Sequence, residues 1–310
     1  MNAARMDADD ITQQWRTHGF VILPGHIPAG ELAAAHDQLD AVFPTATGFH
    51  DGSDPRRDRF IGDEFAGIDT FPFASVELSL LAVNDHIVRL ARRLLGDDDL
   101  RIYSAEAWAK FTGANDYDQA LHRDYLNHTL LVPTTAAAYQ QLEMFVYLVD
   151  VPEGLGPPHL LSQEHTRDVP PKPNWYPRTD SDNDNDNDEF LSPTGSPKFY
   201  EQEVSAAGPA GTVVAFQPGT FHRGTAMRTP GGARYTMHLN YRPAAVDWAH
   251  RHSWADRSHN PDWYRFVARA TPQQLALFGF PPPGHPYWTP DTITGVAQRY
   301  PDLDTTPWQA

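Results

Sequence analysis

The sequence contains no cysteine, so disulfides, thiolate metal sites and Cys nucleophiles are excluded. No run approaches the roughly 18 apolar residues that a membrane-spanning helix needs. Basic residues are scarce: 24 Lys and Arg stand against 40 Asp and Glu, for a formal net charge of −16. Phosphate backbones and anionic lipid both require a basic face, so neither nucleic acid nor a membrane surface is an expected partner. The opening MNAARMDADD is acidic and has no apolar stretch. It predicts no export signal, and the expected location is the cytoplasm.

The 310 residues are 40% hydrophobic and 21% charged, ordinary values for a chain that buries a core. Twelve per cent aromatics and 28 prolines favour strands, turns and loops over a helical bundle. Residues 9–19 read as a helix ending near Gly19, and Phe20–Leu23 as a strand. Pro28 to Val42 carries Leu32, Ala35, Leu39 and Val42 at helical spacing. Residues 45–74 read as an irregular loop, and Ser75–Leu95 as one helix capped by Ser75 and ended by Gly96. The period then changes. Arg101–Phe111, Gln141–Val151, Gly211–Gln217 and Arg234–Tyr241 read as strands. The expected architecture is mainly β with flanking helices (α+β) in a single domain, 1–310. Its parts are an N-terminal strand with helices (1–100), a β core (101–243) and a Trp-, Pro- and His-rich C-terminal extension (244–310), with one helical piece near 260–278.

The low-complexity segment 179–189, TDSDNDNDNDE, imitates a calcium loop. Counted from Asp180, however, position six is Asn185 where Gly is needed, and position twelve is Leu191 where Glu is needed. It reads as a solvated loop.

His122-Arg123-Asp124 is the only H-x-[DE] in the chain. With 15 His and 40 acids, about two such pairs are expected by chance, so the tripeptide alone is a weak signal. On a strand, residues i and i+2 point to one side and could present two metal ligands. About a hundred residues on, a strand from Gly211 and a turn at Pro218-Gly219 lead to His222, which could project into the same cavity. Two His and one carboxylate on one face of an octahedral iron(II) leave three open positions. Those suit a chelating 2-oxo acid and dioxygen. Arg234 starts the next strand, where its guanidinium could take a carboxylate as a bidentate pair, or make a surface salt bridge instead.

At this point the sequence resembles the phytanoyl-CoA dioxygenase family, over about residues 10–243. WRTHGFVILPG (15–25) is similar to the family's opening "dGFvvlpG" strand. GLGPPHLLSQEH (154–165) is similar to its "nGplhvvpGSH" segment, with Gln163-Glu164 departing from the usual order. His122 and Asp124 match its H-x-D, and Phe221-His222 matches the strand of its last metal ligand. Relatives often read His-Gly-Ser where this chain reads HRGT (222–225). The resemblance implies a double-stranded β-helix, the jelly-roll fold of the cupins. It implies iron(II) on His122, Asp124 and His222, with 2-oxoglutarate as cosubstrate held by Arg234 and Thr225, and O2. It also implies hydroxylation of an unactivated C–H bond of a small molecule. The alternatives are a same-cofactor desaturase or epimerase, a non-catalytic cupin-like binding protein, or a zinc hydrolase. Asp124 fills the ligand position that halogenating relatives leave open.

On the strand 103–111, alternation separates Ser104, Glu106, Trp108 and Lys110 from Tyr103, Ala105, Ala107, Ala109 and Phe111. The resemblance turns the polar face inward, making Ser104, Glu106, Trp108, Lys110 and His128 candidate substrate residues. His238, on the alternating face of Arg234, is expected to point inward as a pocket histidine. His165 reads as structural, and His250, His252 and His259 as solvated. Substrate identity and oligomeric state are not read from the sequence.

Overall fold

The structure is a computed structural model that describes residues 7–63, 65–114, 118–180 and 190–309. Most of the acidic segment 179–189 lies outside the described residues. The strands are β1 (Phe20–Leu23), β2 (Asp69–Thr70), β3 (Leu100–Phe111), β4 (Leu121–His122), β5 (Leu142–Tyr147), β6 (His159–Leu160), β7 (Trp175–Tyr176), β8 (Val204–Ser205), β9 (Val213–Phe216), β10 (His222–Arg223) and β11 (Ala233–Pro243). They form two antiparallel sheets, β1-β9-β5-β11-β3-β2 and β7-β4-β10-β6-β8. This is a jelly-roll arrangement of two sheets that do not join into a closed barrel.

The large sheet alternates in chemistry as it alternates in direction. Ala105, Ala107, Ala109 and Phe111 of β3, with Met144 and Val146 of β5 and Met237 and Leu239 of β11, join one core with the helices. The helices are made by ordinary signals. Asp7 caps Ala8–His18 by accepting from the Asp9 and Asp10 amides, and Gly19 closes it at φ 76°; a residue with a Cβ is strained there. Behind the other face, Phe145, Tyr147, Val214 and Phe216 pack with Leu160 and Ala206 of the small-sheet side.

Two expected helices are broken. Pro28–Val42 divides into Ala29–His36 and Leu39–Val42, because Gln38 donates to Ala35 in a tighter turn. Ser75–Leu95 divides into Val76–Leu81 and Asp85–Leu95. Asn84, extended at ψ 145°, accepts from the His86 amide and so starts a second helix. The 45–74 segment holds a short helix, Ala46–His50, a 3₁₀ turn, Arg57–Phe60, and the edge strand β2. It is pinned by buried Phe49, Phe60, Phe71 and Phe73.

The C-terminal extension holds four α-helices among the described residues, Trp254–Arg257, Pro261–Val267, Pro272–Ala276 and Pro290–Arg299, and a 3₁₀ turn, Thr306–Trp308. Its Trp263, Phe266 and Leu275 share the core with Phe71, Leu78 and Ile102. Among the described residues no helix is long and apolar enough to cross a membrane.

Candidate metal centre

β4 and β10 are each only two residues long, and they pair so that His122 and His222 are direct cross-strand partners. Their rings stand 4.6 Å apart. Both side chains are buried, and each spends Nδ1 on a backbone carbonyl two residues upstream. His122 bonds Ala120 at 2.9 Å and His222 bonds Thr220 at 3.2 Å. That bond places the proton on Nδ1 and leaves the Nε2 lone pair for a metal. Trp175 of β7 stacks on His122 at 4.0 Å, and Phe216 contacts His222 at 4.6 Å.

Asp124 closes the set. Its oxygens lie 3.5 Å from His122 Nε2 and 3.4 Å from His222 Nε2. The expected route to this geometry is corrected: β4 ends at His122, and Asp124 sits past it in a helical conformation (φ −85°, ψ −8°) at the head of the turn Tyr125–His128. The chain bends, rather than alternates, to bring the carboxylate round. Arg123, between the two, faces away. It donates to the carbonyls of Pro170, Pro171 and Pro173 and holds that loop in place.

Burial alone would raise the Asp124 carboxyl, but imidazolium charge, at His222 foremost, and hydrogen bonds from both rings hold it well below the usual range; a bound cation would take the place of those Nε2 protons. The three ligand atoms lie within 4.8 Å of one another. A cation with ligands at about 2.1 Å in octahedral geometry needs them about 3 Å apart, so a small closing movement suffices. Two neutral imidazoles and a carboxylate are the donor set of non-haem iron(II). The residues present fit that metal.

The cavity around this set is walled by the inward faces of β3, β5 and β11. Glu106, Trp108, Lys110, His128, Thr225, Arg234 and His238 all line it, as do Gln119, Asn127, Glu143, Asn240 and Arg251. Lys110 and Arg234 are direct cross-strand partners. Thr225 donates to the Pro157 carbonyl at 2.7 Å, and Arg234 reaches the Leu155 carbonyl at 3.2 Å. His238 stacks on Trp108 at 4.3 Å, and burial pushes its pKa well down, so it stays neutral. Ser104 is not in the cavity wall; it supports the wall by hydrogen-bonding His252 at 3.1 Å.

Three expectations are corrected here. His252 is not solvated: its side chain is 7% exposed and stands 3.3 Å from Glu106. Burial, then the nearby Arg257 and Arg251, push its pKa down to about 4. Tyr103 does not share the core face of Ala105. The β3–β11 register slips between Asn240, opposite Ser104, and Tyr241, opposite Ile102. The extra residue turns Tyr103 edge-on to His128, at 6.0 Å. His165, read as structural, is exposed.

The sequence reading missed Glu143, Asn240 and Arg251. Glu143 was legible as the one acid within the apolar run of β5, LEMFVY. It is 3% exposed. Burial, then the Asp124 carboxylate, raise its pKa well above the usual range. Arg251 carried no signal, because the extension that delivers it has no pattern tied to the sheet. The one-residue insertion in HRGT also has a use. Arg223 points away from the metal set and makes a two-pronged pair with Glu203, at 2.7 and 2.8 Å.

The family model described as phytanoyl-CoA dioxygenase (PhyH) matches residues 15–235. No curated protein matches the chain. Similar solved structures include the epimerase SnoN in complex with Fe3+, alpha ketoglutarate and nogalamycin RO. It is 21% identical, the match covers 76% of this chain and 84% of that one, and the TM-score is 0.52. EctD from S. alaskensis, with 2-oxoglutarate and 5-hydroxyectoine, is 17% identical, with 79% of each chain covered and a TM-score of 0.53. HygX from Streptomyces hygroscopicus, with nickel and 2-oxoglutarate bound, is 17% identical, with 78% of this chain and 88% of that one covered and a TM-score of 0.52. At such identities these neighbours establish the fold. The family model spans most of the chain, including all three candidate ligands, and on that ground the chain belongs to the phytanoyl-CoA dioxygenase family, within the iron- and 2-oxoglutarate-dependent superfamily.

Proposed function

We propose that this protein hydroxylates an unactivated C–H bond of a small organic molecule, with iron(II) on His122, Asp124 and His222. Arg234 and Thr225 hold 2-oxoglutarate in this reading. One observation carries it: two Nε2 atoms, freed by Nδ1 bonds to backbone carbonyls, converge on one carboxylate beside a paired Lys110 and Arg234. Bound iron, with 2-oxoglutarate and dioxygen, supplies a two-electron oxidation of the substrate coupled to conversion of the 2-oxo acid to succinate and CO2.

The protein's own part is positioning and exclusion of water. Like charges directly opposite on a sheet repel, so Lys110 and Arg234 favour an anion between them. Their ammonium and guanidinium suit the distal carboxylate of the cosubstrate. The Thr225 hydroxyl stands in the same wall and can turn to that carboxylate. Trp175 on one ligand and Phe145 and Phe216 on the other fix the imidazole planes and keep that side dry. Glu106, Trp108 and His128 are the candidate substrate contacts, with Ser104 behind them.

The test is succinate formation from 2-oxoglutarate and iron(II), with one atom of labelled dioxygen entering the product. An Asp124→Ala or His222→Ala variant should lose turnover and weaken iron binding more than about a hundredfold, since ligand loss exceeds the 10–100-fold effect of outer partners. Retained turnover would remove the assigned ligands. Epimerisation or desaturation instead leaves no label in the product. Absence of iron binding by calorimetry supports the non-catalytic alternative.

A further inference from the structure

Two indoles reach the cavity from opposite sheets. Trp108 comes from β3 of the large sheet and Trp175 from β7 of the small one, and both line the cavity. Each lies flat on an imidazole. Trp108 stacks on His238 at 4.3 Å with the planes 9° apart, and Trp175 on His122 at 4.0 Å and 17°. One face of each ring is spent in this way, and a ligand meets the other face or the edge. A third ring, Phe65, lines the same cavity from the 45–74 segment, edge-on to Trp108 at 6.2 Å. It is 54% exposed, so its apolar surface is largely uncovered.

The Trp108 ring is held in place. Its Nε1 donates to Glu106 at 3.1 Å, and the other oxygen of that carboxylate faces Arg251 at 3.1 Å and His252 at 3.3 Å. Behind the indole, His238 packs against Phe145 at 4.3 Å. A ring already fixed in its plane loses little freedom when a ligand stacks on it. Such a ring attracts a cation or another flat ring. The cation's place is taken: Lys110 Nζ stands 5.3 Å from the centre of the Trp108 ring. A second positive charge would meet Lys110, and Arg234 directly across from it. A polyol needs unspent polar groups beside the rings, and Glu106 is engaged through both oxygens. A flat, uncharged ring system meets neither obstacle.

We infer that the organic substrate carries a flat aromatic ring system that stacks on Trp108 and Phe65, with Trp175 contacting it from the other sheet. The C–H bond to be oxidised belongs to a saturated part of the same molecule. The inference rests on the oxygenase reading above for the reaction, not for the binding. Trp108 and Phe65 set specificity. Glu106 is a positioning residue that acts through the Trp108 indole.

The test titrates 2-naphthol, decahydro-2-naphthol, tetramethylammonium and glucose by calorimetry into the full chain, both metal-free and loaded with nickel(II) and 2-oxoglutarate. The two naphthols share a skeleton and a hydroxyl and differ in flatness, so burial of apolar area alone does not favour the flat one. 2-Naphthol should bind about tenfold more tightly than its saturated counterpart, and the cation and the sugar more weakly than either. W108F should keep most of that preference and W108L should lose it. Glu106→Ala, which frees the indole, should narrow the preference, and Glu106→Gln, which still accepts from Nε1, should keep it. If W108L disturbs folding, F65L at the exposed rim is the second variant. It should weaken 2-naphthol about threefold or more, and leave decahydro-2-naphthol, nickel and 2-oxoglutarate bound as in the wild type. Equal affinity for the two naphthols, binding of none of the probes, tighter binding of the cation or the sugar, or an F65L protein that keeps the full preference would overturn the inference. Failure of the wild type to load nickel and 2-oxoglutarate overturns the parent reading instead, and the metal-free titration still reports on the rings.

Discussion

Arg223 and Glu203 show at the scale of single residues how the metal strand is kept in place. β10 is only His222 and Arg223, so one residue faces the candidate ligand set and the next faces the outer wall. Burial alone would raise the Glu203 carboxyl, but the Arg223 guanidinium and His159 bring it down to about 2. The carboxyl is depressed in the folded state, so its stabilisation is present above the ordinary value of 4.5 and is lost as pH falls from there toward 2. The loss should amount to about 2 kcal/mol, in the range for a charge-assisted pair that is partly screened. Urea unfolding of the wild type across that window should show the slope, and Glu203→Gln should flatten it. Equal slopes would mean that the pair contributes nothing. The candidate ligands were legible because their pattern is rare: one H-x-D and one His after a turn. Glu143 was not singled out, because an acid in an apolar strand gives no sign of which face it occupies until neighbouring strands are in place.

Among the elements, the β3 bulge and the C-terminal extension shape the cavity wall around Glu106 and His128. Strict alternation on β3 held from Ser104 to Phe111 and failed at Tyr103, where an extra residue enters. Nothing local marks that slip; it is set by the pairing with β11. The extension delivers Arg251 and His252 to Glu106. Trp254 anchors it there by donating to the Ile102 carbonyl at 2.8 Å. In steady-state kinetics, Arg251→Ala should therefore raise KM several-fold for the organic substrate and leave it unchanged for the cosubstrate. A parallel rise in both would show a general disturbance instead. The extension's Phe266 is fully buried and packs edge-on to Phe71 at 4.9 Å. Phe266→Ala should cost about 3–5 kcal/mol of stability, measured by denaturant unfolding. A cost below about 1 kcal/mol would mean that the tail is only loosely attached.

For the molecule as a whole, helices from residues 29–95, the large sheet and the tail contribute to one continuous apolar cluster. We expect residues 1–310 to unfold in a single cooperative transition, as a single domain does. Two separate transitions in calorimetry would divide the tail from the β core. Ligands that bind only the folded state add stability by mass action, about 2.7 kcal/mol at a hundred times Kd. Iron(II) under anaerobic conditions, with 2-oxoglutarate, should therefore raise the melting temperature by several degrees. His222→Ala should abolish that rise.

The sequence by itself determined the class of fold, the strand order of the chemistry and the identity of the three candidate ligands. These depend on residue type, local period and turn residues, which act over a few positions. Only the tertiary structure decided which nitrogen each imidazole presents and how Asp124 rounds the end of β4. It alone brought Glu143 and Arg251 into the cavity beside the candidate ligands. Those outcomes depend on register between strands far apart in the chain and on the docking of a tail, and a slip of one residue in either would reverse which side chains face inward.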